Sequence, residues 1–199
     1  MDSIKDAMEF AWQIFAGDTG GHDFYHTLRV YHLATAIARE ENADLEIVQL
    51  AALLHDVDDH KISPQTYGDK GRAVAFLKAH GVPCERIAQI VQIISAVSFR
   101  RNSGRPDSLE AMCVQDADRL DALGALGIAR AFAYGGSRGR GIYDPSGLDK
   151  TTTIDHFYDK LLKLKDMMNT KTGQKMAANR DRFTRSFLDE FLAEWEGSR

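Results

Sequence analysis

The sequence predicts an all-α protein, a single-domain helical bundle, and three observations carry that expectation. Apolar residues recur every three or four positions in most segments between residues 2 and 195, which is the spacing of one helix face. Almost nowhere do apolar and polar residues alternate with the period of two that marks a half-buried strand. Glycine, proline and aspartate fall between the periodic segments, where breaks and caps belong. The length agrees, since 199 residues is most simply one domain large enough to bury a core.

Segment 2–16 places Ile4, Met8, Ala11, Trp12 and Phe15 on one face and reads as an amphipathic helix broken by the glycines of 17–21. Segment 24–41 resumes the spacing through Leu28, Tyr31, Leu33, Ala34, Ile37 and Ala38, with Asp23 as its expected N-cap. Asp44 is expected to cap the third helix, whose apolar face runs from Ile47 to His55 and Asp56. Residues 60–68, with Pro64 and Gly68, read as a loop. A helix at about 69–80 is ended by Gly81 and Pro83, and another follows at about 84–97. Residues 100–107 form a polar loop. Residues 109–134 read as one or two helices interrupted by Gly124 and Gly127, glycines that permit close helix approach. Residues 135–147 read as a Gly-rich loop, and the tail as two helices at about 152–168 and 173–195. The last helix carries the stripe Phe183, Phe187, Leu188, Phe191 and Trp195, suited to a core or a subunit contact.

Charge and composition narrow the function. A formal net charge of -4 argues against a broad nucleic-acid-binding surface. Cys84 and Cys113 form neither a CxxC nor a disulfide framework, which suits a reducing cytoplasm. The N-terminus carries acids where a signal peptide is basic and then apolar, and no apolar run approaches a membrane span. The expected partner is therefore a small molecule, with neither nucleic acid nor membrane, for a cytoplasmic monomer or homodimer.

The chemistry centres on Leu50 to Asp59, an apolar helical run that ends in His55, Asp56, Asp58 and Asp59. Burying an ionised carboxylate is costly unless it is paired or bound to a metal, and imidazole with carboxylate suits a divalent cation. His26 can add a second imidazole, on a helical face shared with His22 and Arg29. Asp116, Asp118 and Asp121 lie in an apolar helix, where at least one of them needs a cationic partner. Two neutral imidazoles and two carboxylates neutralise a divalent cation and leave positions open for water and a phosphate oxygen.

The order His26…His55-Asp56…Asp118 resembles the H…HD…D signature of the HD-domain metal-dependent phosphohydrolases. The segments HDFYHTLRV, LAALLHDVDDHK, VQDADRLDALGALGIARAFAYGG and DHFYDKLLKLKDMMNTKTGQKMA are similar to the small stand-alone bacterial branch across nearly the whole chain. That branch includes nucleoside triphosphate pyrophosphohydrolases, which release pyrophosphate and a monophosphate. The resemblance implies an HD-domain helical bundle with its metal-binding core at about 22–122 and C-terminal helices at about 150–195. It implies His26, His55, Asp56 and Asp118 as ligands, Asp118 being preferred to Asp116 because the family's last ligand directly precedes a pair such as Arg119-Leu120. It implies manganese, with Mg²⁺, Fe²⁺, Co²⁺ or Ni²⁺ as alternatives, and a phosphorylated substrate, foremost a nucleotide. Where some relatives carry a histidine this chain has Val97, which weakens any second metal. A phosphate monoesterase, a non-catalytic nucleotide-binding regulatory domain and a di-iron oxygenase are the alternatives.

Asp59, four residues after His55, stands where several HD hydrolases place an acid that orients the attacking water, and Asp58 reads as its solvated neighbour. Arg29 and Lys61 are candidate phosphate clamps, and Arg29 has a rival role as a structural partner of a nearby acid, Asp56 or Asp118. His22 either lines the pocket or caps the second helix. Arg119 either binds phosphate or pairs with Asp116. Arg138 and Arg140, on the Gly-rich loop, either grip phosphates or belong to an ordinary surface loop. Tyr134 and Tyr143 are candidates for stacking on a base or for plain packing.

Overall fold

A computed structural model describes residues 3–16, 23–60, 63–97 and 104–198. Among them are nine α-helices and one 3-10 helix, and no strand, as the periodicity predicts. They form two compact units, Met1–Asp118 and Arg119–Arg199.

In the first unit, α1 (Ser3–Phe15), α2 (Phe24–Glu41) and α5 (Cys84–Val97) pack around α3 (Leu45–Leu54). Seven of the ten α3 residues are buried, from Ile47 to Leu54, so this helix is apolar nearly all round, as a helix at the centre of a core must be. Both expected caps form. Asp23 accepts from the His26 amide at 2.7 Å, and Asp44 from the Ile47 amide at 3.1 Å. Arg86 then ties Asp44 and Glu46 together at 3.0 Å from each. α2 ends at Asn42, whose left-handed backbone (φ 58°) closes the last turn.

α4 (Gly71–Ala79) starts two residues later than the periodicity predicts, because Lys70 adopts a left-handed conformation with φ 56°. α6 (Leu109–Asp121) carries the acid-rich stretch.

In the second unit, α7 (Gly124–Ser137) and the 3-10 helix Leu161–Met167 pack on α9 (Lys171–Trp195), and α8 (Thr153–Asp159) packs on the 3-10 helix. The α9 stripe meets α7 and α8 through Phe132, Phe157, Phe187 and Phe191, with ring centroids about 6 Å apart. Tyr143 stands edge-on to Phe191 and Trp195, so it packs.

Two expectations need correction here. The glycines 135 and 136 are helical, not loop, and α7 runs on to Ser137. A Cβ on Gly135 would stand 2.2 Å from Thr153 Oγ1, so glycine is what lets α8 begin against this turn. The predicted helix at 152–168 is two elements, α8 and the 3-10 helix, separated at Lys160. Gly127, as expected, serves close approach: a Cβ there would lie 2.3 Å from the Ala122 carbonyl.

Candidate metal centre

Two of the candidate ligands lie at helix ends, His26 in the first turn of α2 and His55 at the C-cap of α3. Asp23 caps α2 and so fixes the turn that presents His26. His55 is the C-cap of α3, placed there by the buried run that precedes it. Asp118 comes from α6. His26 Nε2, His55 Nε2 and a carboxylate oxygen of Asp118 lie within 4.8 Å of one another. His26 Nε2 is 3.4 Å from Asp118 Oδ1 and 3.6 Å from Asp56 Oδ2, and His55 Nε2 is 3.3 Å from Asp56 Oδ2. His26, His55 and Asp118 therefore converge, and Asp56 adjoins both histidines.

The α3 backbone fixes which nitrogen of His55 faces the cluster. His55 Nδ1 lies 2.8 Å from the Ala52 carbonyl oxygen, and a carbonyl only accepts, so Nδ1 carries the proton and Nε2 its lone pair. That Nε2 is buried and makes no hydrogen bond. A polar atom orphaned in the core is costly, and a cation shared with His26 and Asp118 removes the cost. Burial disfavours charge on the His55 ring, but the Asp56 carboxylate outweighs it and holds the group above the ordinary imidazole range. Burial likewise opposes charge on Asp118, and the bond and charge of His26 outweigh that and hold its carboxyl below the usual range. Nitrogen and oxygen donors of this kind fit a divalent cation of the first transition row or magnesium, and the two carboxylates match its charge.

The remaining predicted residues fall into four situations. His22 and Lys61 lie outside the described residues. Asp59 is half-buried, its amide 2.9 Å from the Asp56 carbonyl, which puts it one turn beyond the cluster. Arg29, also half-buried, is three residues after His26 on α2. Arg119 is buried and donates to the Met167 carbonyl within the second unit. Arg138 and Arg140 both lie over the Tyr134 ring, 5.4 Å and 5.6 Å from its centre. That arrangement gives Tyr134 a cationic cover and gathers two guanidinium groups on an exposed face. Asp116 is fully buried, and Asp121 takes its cation from Arg130.

Asp58 departs from its reading as a solvated neighbour. It is fully buried, and its two oxygens accept from the amides of Arg72 and Ala73 at 3.1 Å and 2.9 Å. It thus caps α4 from outside, because Lys70 at the N-cap position offers no side-chain oxygen. Asp69 accepts only the Gly71 amide at 3.0 Å, so the amides of Arg72 and Ala73 fall to Asp58, fourteen and fifteen residues earlier.

A family model described as HD domain matches residues 23–123. YpgQ of Bacillus subtilis is 40% identical over 203 residues, covering 99% of this chain and 97% of YpgQ. An HD-superfamily hydrolase from Bacillus thuringiensis superposes with a TM-score of 0.84 at 38% identity, covering 98% of this chain and 97% of that one. The structure of Bacillus subtilis YpgQ in complex with ADP gives 0.82 at 37% identity over 96% of each chain.

Proposed function

The chain belongs to the HD-domain family, and from that premise we propose that it is a metal-dependent phosphohydrolase acting on nucleoside or deoxynucleoside triphosphates. In this reading it releases a monophosphate and pyrophosphate. The observation that carries it is the buried, orphaned Nε2 of His55 facing the Nε2 of His26 and the carboxylate of Asp118. YpgQ, similar along its whole length, has been crystallised with ADP, which supports a nucleotide over other phosphate esters.

His26, His55, Asp56 and Asp118 would hold the cation, manganese foremost. When bound, it supplies Lewis acidity toward a phosphate oxygen and the incoming water. Asp59, one turn from His55, orients that water and receives its proton. Arg29 offers a guanidinium beside His26 for the charge that develops on the phosphates. His22 and Lys61 are proposed as further substrate contacts. The Ala52 carbonyl keeps the His55 ring in place throughout.

The test is a panel of nucleoside triphosphates, deoxynucleoside triphosphates and monophosphates given to metal-stripped protein with Mn²⁺ or Mg²⁺ restored, with products read by phosphorus NMR. Pyrophosphate and monophosphate from the wild type, and neither from Asp56→Ala, is the expected result. Orthophosphate released from monophosphates would replace the reading with a nucleotidase. Full activity in Asp56→Ala would overturn the ligand assignment.

A further inference from the structure

Fourteen residues after Asp56 stands a lysine with no role in that proposal. Lys70 is 7% exposed, yet among the described residues no carboxylate stands within ion-pair distance of it. Its ammonium rests 4.4 Å from the centre of the Tyr67 ring, and that ring meets His60 edge-on at 5.7 Å. Its backbone is left-handed, φ 56°, a conformation that glycine adopts freely and lysine does not. A strained backbone and a largely buried cation with no counter-charge among the described residues are two separate costs. Helix capping does not require them, because Asp58 caps α4 from outside.

The same cap fixes where the lysine is. Asp58 follows Asp56 by two residues, and the amides it holds, Arg72 and Ala73, follow Lys70 by two and three. Ser63 closes the intervening loop onto the same segment, its amide bonded to the Asp59 carbonyl at 2.8 Å and its hydroxyl to the Val57 carbonyl at 3.0 Å. The 56–60 segment, the Tyr67 ring and the Lys70 ammonium thus form one block. An aromatic face attracts the charge without accepting the ammonium's hydrogen bonds in the way a carboxylate does. The donors remain available for an anion.

We propose that Lys70 is a substrate-binding residue of this site: its ammonium, steadied on the Tyr67 ring, receives a phosphate oxygen of the pyrophosphate portion of the substrate. This rests on the phosphohydrolase reading for its substrate and stands apart from it in its test. Two variants suit the backbone, Lys70→Asn and Lys70→Gly, since both residues accept a left-handed conformation. The full chain with manganese is assayed for KM and kcat on the best triphosphate, inorganic pyrophosphate binding is followed by calorimetry, and the thermal midpoint is recorded.

Loss of a charge-assisted contact predicts a rise in KM on the order of tenfold and a similar weakening of pyrophosphate in both variants. The midpoint holds or rises, and Lys70→Arg recovers part of the affinity. Unchanged pyrophosphate affinity and KM in both variants would overturn the proposal, as would a fall in midpoint with affinity intact, which would make Lys70 a structural clamp. If the wild type hydrolyses no nucleotide, the function above fails, while weaker pyrophosphate binding in both variants would still support the anion contact.

Discussion

Replacing Asp58 by alanine separates a structural acid from a catalytic one. The carboxylate is fully buried and is the acceptor for two amides, one of them, Ala73, in the core. Each hydrogen bond to a charged acceptor contributes about 1.5–3 kcal/mol, and two on one group are not additive, so the loss is about 3 kcal/mol. For a chain of 199 residues, where 1 kcal/mol moves the midpoint roughly 2–4 °C, the expected drop is roughly 6–12 °C. Asp58→Asn keeps one acceptor oxygen and should lose about half as much. The assay is thermal unfolding followed by circular dichroism, run with chelator and again with saturating Mn²⁺, so that loss of metal is not read as loss of the cap. Asp59→Ala, measured beside it, should keep the midpoint and slow turnover. A midpoint for Asp58→Ala within about 2 °C of wild type, with turnover abolished, would refute the capping role and make Asp58 the acid that acts on water.

Three further outcomes follow from the geometry. Mn²⁺ at a hundred times its dissociation constant should stabilise the wild type by about 2.7 kcal/mol and leave Asp56→Ala unmoved; equal shifts in both would place the metal elsewhere. Burial pushes the Cys113 thiol up to about 12, ahead of the nearby charge of Asp116, whereas Cys84 is exposed. A thiol reagent at pH 8 should therefore modify one cysteine in the native protein and both in denaturant, and rapid native modification of both would contradict the burial. Gly127→Ala, driven against the Ala122 backbone, should cost about 3 kcal/mol. Gly136→Ala, with nothing within 4 Å of the added carbon, should gain about 0.5–1 kcal/mol. Denaturant titration compares the two, and similar midpoints would show that the Ala122 turn yields.

The features legible in the sequence are those set locally. Helical spacing marks α2 and α5 because each buries one continuous face, and Asp23 and Asp44 announce themselves as caps because their partners are three residues away. What stayed hidden depends on distant residues. Asp58 reads as solvated until α4, fourteen residues later, supplies two amides. Gly135 and Gly136 read as loop because nothing local shows that Thr153 needs the room a side chain would take. Leu161 and Leu164 recur at a spacing of three, which a 3-10 turn satisfies as well as an α-helix does. The candidate cluster was legible as an ordered set of residue types. The convergence of His26, His55 and Asp118 within 4.8 Å was not, since it needs three helices to arrive together.

The Ala52 carbonyl that holds His55 Nδ1 is a peptide group, and a peptide group has no proton to gain or lose near neutrality. A histidine aimed by an aspartate loses its guide when that aspartate is protonated. Here the aim of the ring is written into the α3 backbone itself and lasts as long as the last turn of that helix does. Acid can therefore compete for the lone pair of His55 Nε2 without turning the ring away, so a site emptied at low pH is still pointed correctly when the pH returns. Recovery then needs only the cation, with no rearrangement of the ring that receives it.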